Sequence, residues 1–145
     1  MMKSADWLRD GVRVVRAASL EAALRGPMGG GRATAFDFTG AGGRQTWIGR
    51  VTLAPRGRTG AHHHGRHEVA IYVVKGQSEI RWGERLDFMA EVGPGDFVYF
   101  PPYVPHQEIN PSTSEPLELV VVRSDNERIA IDLDLAAVTD PQQVI

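Results

Sequence analysis

Four of the chain's five histidines fall in the run His62-His63-His64-Gly65-Arg66-His67, and the fifth, His106, follows a proline-rich turn and Pro105. Imidazole is the commonest protein ligand for metals. A cluster followed by one distant histidine suits a site that two strands assemble when the chain folds. Successive side chains of a strand point to opposite faces, so His62 and His64 can enter the same interior while His63 points away. His106 on a neighbouring antiparallel strand then closes a third direction. The sequence has no cysteine, which excludes a disulfide framework, a thiolate nucleophile and a Cys-type zinc site. Any metal must be held by His, Asp or Glu.

The elements that would carry these residues are short and β-like. Thr46 to Leu53 alternates, with Trp47, Val51 and Leu53 on one face and Thr46, Arg50 and Thr52 on the other, as in a half-buried strand. Further strands are expected over residues 69–74, 77–82, 86–92, 96–100, 107–110, 117–123 and 128–133. Between them lie turn residues: Pro55 to Gly60, Gly83-Glu84, Gly93-Pro94-Gly95-Asp96, Pro101-Pro102 and Asn110-Pro111. Strands spaced by about 8–12 residues indicate an all-β sandwich or barrel. One short helix is expected, with Ser19 as N-cap and Leu20 and Leu24 leading to Gly26. Pro27 to Gly31 and Gly40 to Gly43 read as flexible punctuation. The chain of 145 residues reads as one domain, 1–145, with its core at about 44–135, an N-terminal extension over 1–43 and a tail over 136–145. The tail is expected to be disordered or to pack on a partner subunit.

Sixteen basic and 18 acidic residues give a net charge of −2 without a long run of either sign. That argues against nucleic acid or a membrane surface as the main partner. Met1 to Asp10 lacks the apolar stretch of a signal peptide, and no apolar run approaches roughly 18 residues. A cytoplasmic location is the expectation.

Two blocks spanning roughly residues 57–110 resemble the cupin superfamily. The first is a glycine, His-x-His, an acidic residue some positions on, and a closing glycine, here Gly57, His62-His63-His64, Glu68 and Gly76. The second is a glycine, a proline, then histidine and asparagine, here Gly95, Pro101, His106 and Asn110. The resemblance implies a jelly-roll β-barrel and a metal site. Tyr103 stands where the family places a glycine, which implies a different shape for the loop before His106.

The fourth ligand departs from the family pattern. Counting forward from His62 gives Glu68, whereas counting back from Gly76 gives Val69, so one residue has been inserted between His64 and Gly76. If Val69, Ile71 and Val73 face the core, His67 shares their side and Glu68 points outward; a bulge near Gly65 would absorb the extra residue. This favours His62, His64, His67 and His106 as the ligand set, with Glu68 as the alternative fourth ligand. Three histidines and a carboxylate leave a divalent ion with charge of about +1 and suit Fe2+, Mn2+ or Ni2+; four histidines leave about +2 and favour Zn2+.

His63 and Glu108 read as solvated residues, and Phe97, Tyr99, Phe100 and Tyr103 as core or pocket wall. Within the superfamily the segment 61–110 is similar to zinc-containing aromatic polyketide cyclases of the resistomycin type. That likeness implies a homodimer, for which Val12 to Ala17 is a candidate contact, and a poly-β-ketone substrate, free or bound to a carrier protein. The expected reaction is an aldol-type cyclisation with Glu68 as candidate base. The alternatives are a dioxygenase acting on a diketone or aromatic ring, and a non-catalytic small-ligand-binding barrel.

Overall fold

The computed structural model describes residues 8, 12–24, 31–36, 45–124 and 129–144. Helix α1 spans Ala17–Leu24. It begins two residues before the expected cap, and the Ser19 amide donates to Arg16 O (3.0 Å) inside its first turn. Ser19 is therefore not the N-cap. Gly26, Pro27 to Gly30 and Gly40 to Gly43 lie outside the described residues.

Among the described residues eleven strands follow: β1 Gly31–Phe36, β2 Trp47–Leu53, β3 His62–His63, β4 Val69–Lys75, β5 Ser78–Trp82, β6 Phe88–Val92, β7 Phe97–Phe100, β8 His106–Ile109, β9 Leu117–Arg123, β10 Ile131–Asp132 and β11 Gln142–Gln143. They form a five-stranded sheet, β1-β2-β9-β4-β7, and a six-stranded sheet, β10-β3-β8-β5-β6-β11. The expected all-β barrel is thus observed.

Two strands were not expected from the sequence, β1 and β11. β1 pairs with β2, with a register shift between Thr34 and Phe36, inside the supposed N-terminal extension. β3, the strand that the alternation of His62 and His64 requires, holds only two residues, because the chain turns at Gly65 and Arg66 just after His64. β11 lies in the tail and runs parallel to β6, pairing Gln142 with Phe88 and Gln143 with Met89. That part of the tail packs on its own barrel. Of the strand expected over 128–133, Ile131 and Asp132 are strand and Arg128 lies outside the described residues.

Alternation builds the core. Along β4, Val69, Ile71 and Val73 are buried while Ala70, Tyr72 and Val74 are exposed. Along β9, Leu117, Leu119 and Val121 face the same interior. Burying such apolar faces supplies most of the driving force, about 25 cal/mol per Å2. Gly49 on β2 is required by packing: a Cβ there would lie 2.7 Å from Trp47 Cη2 and 2.5 Å from Ala33 O. The indole of Trp47 can therefore lie along its own strand. Asn110, 1% exposed, ends β8 by donating to Leu53 O (3.1 Å), Ala54 O (3.2 Å) and Glu115 O (2.8 Å). It ties the histidine strand to two loops.

Candidate metal centre

His62 and His106 stand directly opposite each other across β3 and β8, and His64 follows two positions after His62. Ring centroids are 4.4 Å apart for His62 and His106, 4.9 Å for His62 and His64, and 5.3 Å for His64 and His106. Each offers a ring nitrogen within 4.8 Å of the others. His106 is 1% exposed and stacks on Phe100 at 4.1 Å.

The hydrogen bonds fix which nitrogen is offered. Nδ1 of His62 bonds Gly60 O (2.8 Å), Nδ1 of His64 bonds Ile129 O (2.8 Å), and Nδ1 of His106 bonds Val104 O (2.9 Å). A carbonyl oxygen only accepts, so each Nδ1 carries the proton and each neutral ring keeps its Nε2 lone pair for a ligand. His106 Nε2 is buried with no hydrogen-bond partner. A buried acceptor left in this way is destabilising unless something occupies the position, and a cation accepting three imidazole lone pairs meets that need. Burial lowers the pKa of His64 to about 4, helped by the neighbouring His62 and His106 and opposed by the bond to Ile129 and by Glu108. His106 is likewise lowered to about 4, by burial first and then by His62 and His63, against the bond to Val104. Both rings are neutral at pH 7, the form a metal requires.

His62 and His64 open on a cavity of about 220 Å3, whose walls also include Arg32, Val51, Leu53, Thr59, Glu108, Leu119, Val121, Arg123 and Asp132. Glu108 is 9% exposed, contrary to its reading as a solvated residue. It lies two residues after His106 and so shares that residue's face. Thr59 Oγ1 donates to Glu108 Oε2 (3.3 Å), and the Glu108 amide donates to Thr59 Oγ1 (3.1 Å). The signal for Glu108 was present in the β8 alternation. The same holds for Arg123, which occupies the inward parity of Leu117, Leu119 and Val121.

His67 and Glu68 take other places. The His67 amide donates to His64 O (3.1 Å), closing a turn in which Gly65 has φ 59°. This turn, and not a bulge within one continuous strand, absorbs the inserted residue. It carries the chain from β3 in one sheet toward β4 in the other. His67 is 2% exposed but stands outside the group that brings His62, His64 and His106 together. Glu68 is exposed and accepts a 2.7 Å bond from Tyr99 Oη, a contact that raises the Tyr99 pKa. It is not among the residues lining the histidine cavity. The inward and outward assignment of this pair thus follows the parity argument, while neither residue joins the three histidines.

His63 is also outside the group. Its Nδ1 accepts the Gly65 amide (2.9 Å), and its ring sits 5.9 Å from that of Tyr103. Tyr103 has φ 64°, so it keeps the left-handed backbone that a glycine would favour, and His106 still turns inward. Phe97, Tyr99 and Tyr103 are 78%, 57% and 64% exposed, and only Phe100 of the four aromatics is in the core. β7 is an edge strand paired with β4 alone, and its Phe97 and Tyr99 share the outer parity.

The sequence matches the model of the Cupin domain over residues 49–123. Similar solved structures include an uncharacterized conserved protein with a double-stranded beta-helix domain from Klebsiella pneumoniae, at 16% identity and TM-score 0.67, covering 85% of this chain and 98% of that one. Oxalate oxidase in complex with glycolate is 20% identical with TM-score 0.64, covering 76% of this chain; the chain spans 58% of that protein's length. The polyketide cyclase RemF from Streptomyces resistomycificus is 23% identical with TM-score 0.60, covering 76% of this chain and 73% of that one. At these identities the likeness shows the fold. No curated protein matches the sequence. Among the described residues, no helix is long and apolar enough to cross a membrane.

Proposed function

The chain belongs to the Cupin domain family, and from that premise we propose that it is a zinc-dependent cyclase that closes a ring in a poly-β-ketone. The observation that carries the metal site is the shared tautomer: three rings donate Nδ1–H to backbone carbonyls and turn their Nε2 atoms toward one another. Three neutral nitrogens with no protein carboxylate among them favour a borderline ion such as zinc and leave a coordination position open. Bound there, zinc supplies a Lewis acid that stabilises negative charge developing on a ketone oxygen.

The chain's own residues do the rest. Glu108 replaces Glu68 as the base, because it lines the cavity and Glu68 does not. With Thr59 held on Oε2, Oε1 accepts the α-proton of one ketone unit. The carbon so activated bonds to a second carbonyl carbon of the same chain and closes the ring as that C=O π bond opens. Glu108 returns its proton to the resulting alkoxide, and the hydroxyl then leaves with a further α-proton as one water. Val51, Leu53, Leu119 and Val121 form an apolar wall that excludes water and keeps the reacting segment folded. A cavity of about 220 Å3 accommodates that segment and leaves the remainder of a long polyketone outside. The similarity to RemF, named as a polyketide cyclase, supports this choice among cupin chemistries.

The test is to co-express the untagged protein with a polyketide synthase lacking its cyclase. Its elemental content and the product profile are compared with those of a His64→Ala variant. Near-stoichiometric zinc and a shift toward cyclised product, both lost in the variant, are expected. Oxygen consumption with a diketone by an iron, manganese or nickel form would instead favour a dioxygenase. Ligand binding that survives loss of metal would favour a non-catalytic barrel.

A further inference from the structure

The wall facing the histidines is unusual in its charge. Arg123 is the one charged residue on the inward face of β9 and is 2% exposed. Its Cζ lies 4.3 Å from the centroid of the Trp47 ring, and Arg32 Cζ lies 5.4 Å from the same ring. Both arginines line the histidine cavity. They come from β1 and β9 of the five-stranded sheet, whereas Glu108 and Asp132 come from β8 and β10 of the six-stranded sheet, which also carries His62 and His106. The cavity is therefore polarised, cationic on one wall and carboxylate with histidine on the other.

A buried guanidinium is costly to desolvate, and an apolar side chain of similar volume would fill the inward position of β9 at lower cost. Stacking on Trp47 holds the planar group in a defined orientation. A planar, fixed guanidinium at a cavity wall suits a carboxylate, which it can hold by its charge and a charge-assisted N–H bond.

We propose that Arg123, with Arg32 at the outer side, binds a carboxylate of the substrate, so that the site selects β-keto acids with a free carboxylate over neutral esters or thioesters. In this arrangement the carboxylate rests on the arginine wall while the reacting ketone faces His62, His64 and His106. This rests on the cyclase reading for the role of the ketone, but recognition of the anion does not require the metal. Arg123 is a specificity-determining residue and takes no part in the proton transfer.

The test uses two probes of similar size, acetoacetate and methyl acetoacetate, which differ in charge. Binding of each is followed by protein NMR shifts in metal-free and zinc-loaded protein. The wild type is expected to prefer acetoacetate by about tenfold or more in the metal-free form, as a charge-assisted hydrogen bond would give. Arg123→Met keeps much of the side chain's length and should bring the ratio near unity, while Arg123→Lys should retain part of it. Circular dichroism verifies that each variant is folded. Arg32→Met, at an exposed position, should lower the ratio by a few-fold without affecting folding. Equal affinity for the two probes in metal-free wild type would overturn the proposal even if the Arg123 variants fail to fold. A preference unchanged in folded Arg123→Met would overturn it as well. Loss of zinc binding with the preference intact would count against the cyclase reading alone.

Discussion

Two hollows of the barrel differ in what lines them. The larger, about 570 Å3, lies between β5, β6 and β7 and is walled by Ile80, Trp82, Val92, Val98 and Phe100, with Glu91 and Asp96 but no histidine. The smaller, about 220 Å3, holds His62, His64, Glu108, Arg32 and Arg123. The larger opens where edge strand β7 has a partner on one side only, so its volume reflects an incompletely covered sheet edge. The smaller lies where strands of both sheets bring fixed dipoles and charges to one place. Volume follows the packing of the sheets, and chemistry follows the convergence of polar groups.

The comparison breaks most readily at the metal. His106→Ala removes the most buried of the three ligands and is expected to reduce zinc affinity by about a hundredfold or more. His67→Ala should keep near-stoichiometric zinc, because His67 is carried out of the group by the turn at Gly65. Elemental analysis of both variants after dialysis checks this. Metal lost with His67 and retained without His106 would place the centre on the wrong residues.

A second expectation concerns the base. Glu108→Gln should keep zinc and lower the cyclisation rate by about 10²–10⁴-fold, while Ala90→Trp, which obstructs the larger hollow, should change it by about twofold or less. Single-turnover rates for the two variants compare the hollows directly. A large loss in Ala90→Trp would move the substrate to the apolar cleft.

How much of this was legible in the sequence depends on how each residue is held. His62, His64 and His106 could be read because a strand's alternation and an antiparallel neighbour suffice to place them. β2, β4 and β9 were legible for the same reason. β1 was not: Ala33 is its one buried apolar residue among those with described burial, so its pattern is faint, and pairing with β2 creates the strand. β11 has two exposed glutamines and is held by backbone bonds, Gln142 N to Asp87 O (2.8 Å) and Val144 N to Met89 O (2.9 Å). Side-chain periodicity cannot report such bonds. Glu108 was misjudged because a charged residue was read by type and not by its parity with His106.

A third expectation uses acidity to sharpen the contrast. His64 and His106 have folded pKa values of about 4 against an ordinary value of about 6.5. Between these values the unfolded chain binds more protons than the folded one, so the stability of metal-free protein falls as pH drops from about 6.5 to about 4. It is fully present above that window. The melting temperature should decline by several degrees across it, and His106→Gln should flatten the decline. Replacing Trp82 in the larger hollow should leave the slope unchanged. A slope that survives His106→Gln undiminished would assign it to other groups.

The smallest effect comes from the loop that leads from the larger hollow to His106. Pro101 and Val104 line that hollow, and His106 follows after Pro105. Tyr103, between them, holds φ 64°, a conformation that costs an L-residue about 1–2 kcal/mol. Its ring is 64% exposed, so little burial offsets that strain, and it meets the His63 ring at 5.9 Å. The Tyr103 amide donates to Gly65 O (2.8 Å), a bond that ties this loop to the turn after His64 and that glycine would keep. Tyr103→Gly should therefore relieve the strain without moving His64 or His106. Part of the gain is returned because glycine gives the unfolded chain more freedom, about 0.5–1 kcal/mol. The net stabilisation is expected to be below about 1 kcal/mol, a rise of a few degrees in Tm, with zinc affinity unchanged. A lower Tm with weakened zinc binding would mean that the tyrosine ring, through His63, holds the two histidine loops together, and the loop beside the larger hollow would then belong to the metal site itself.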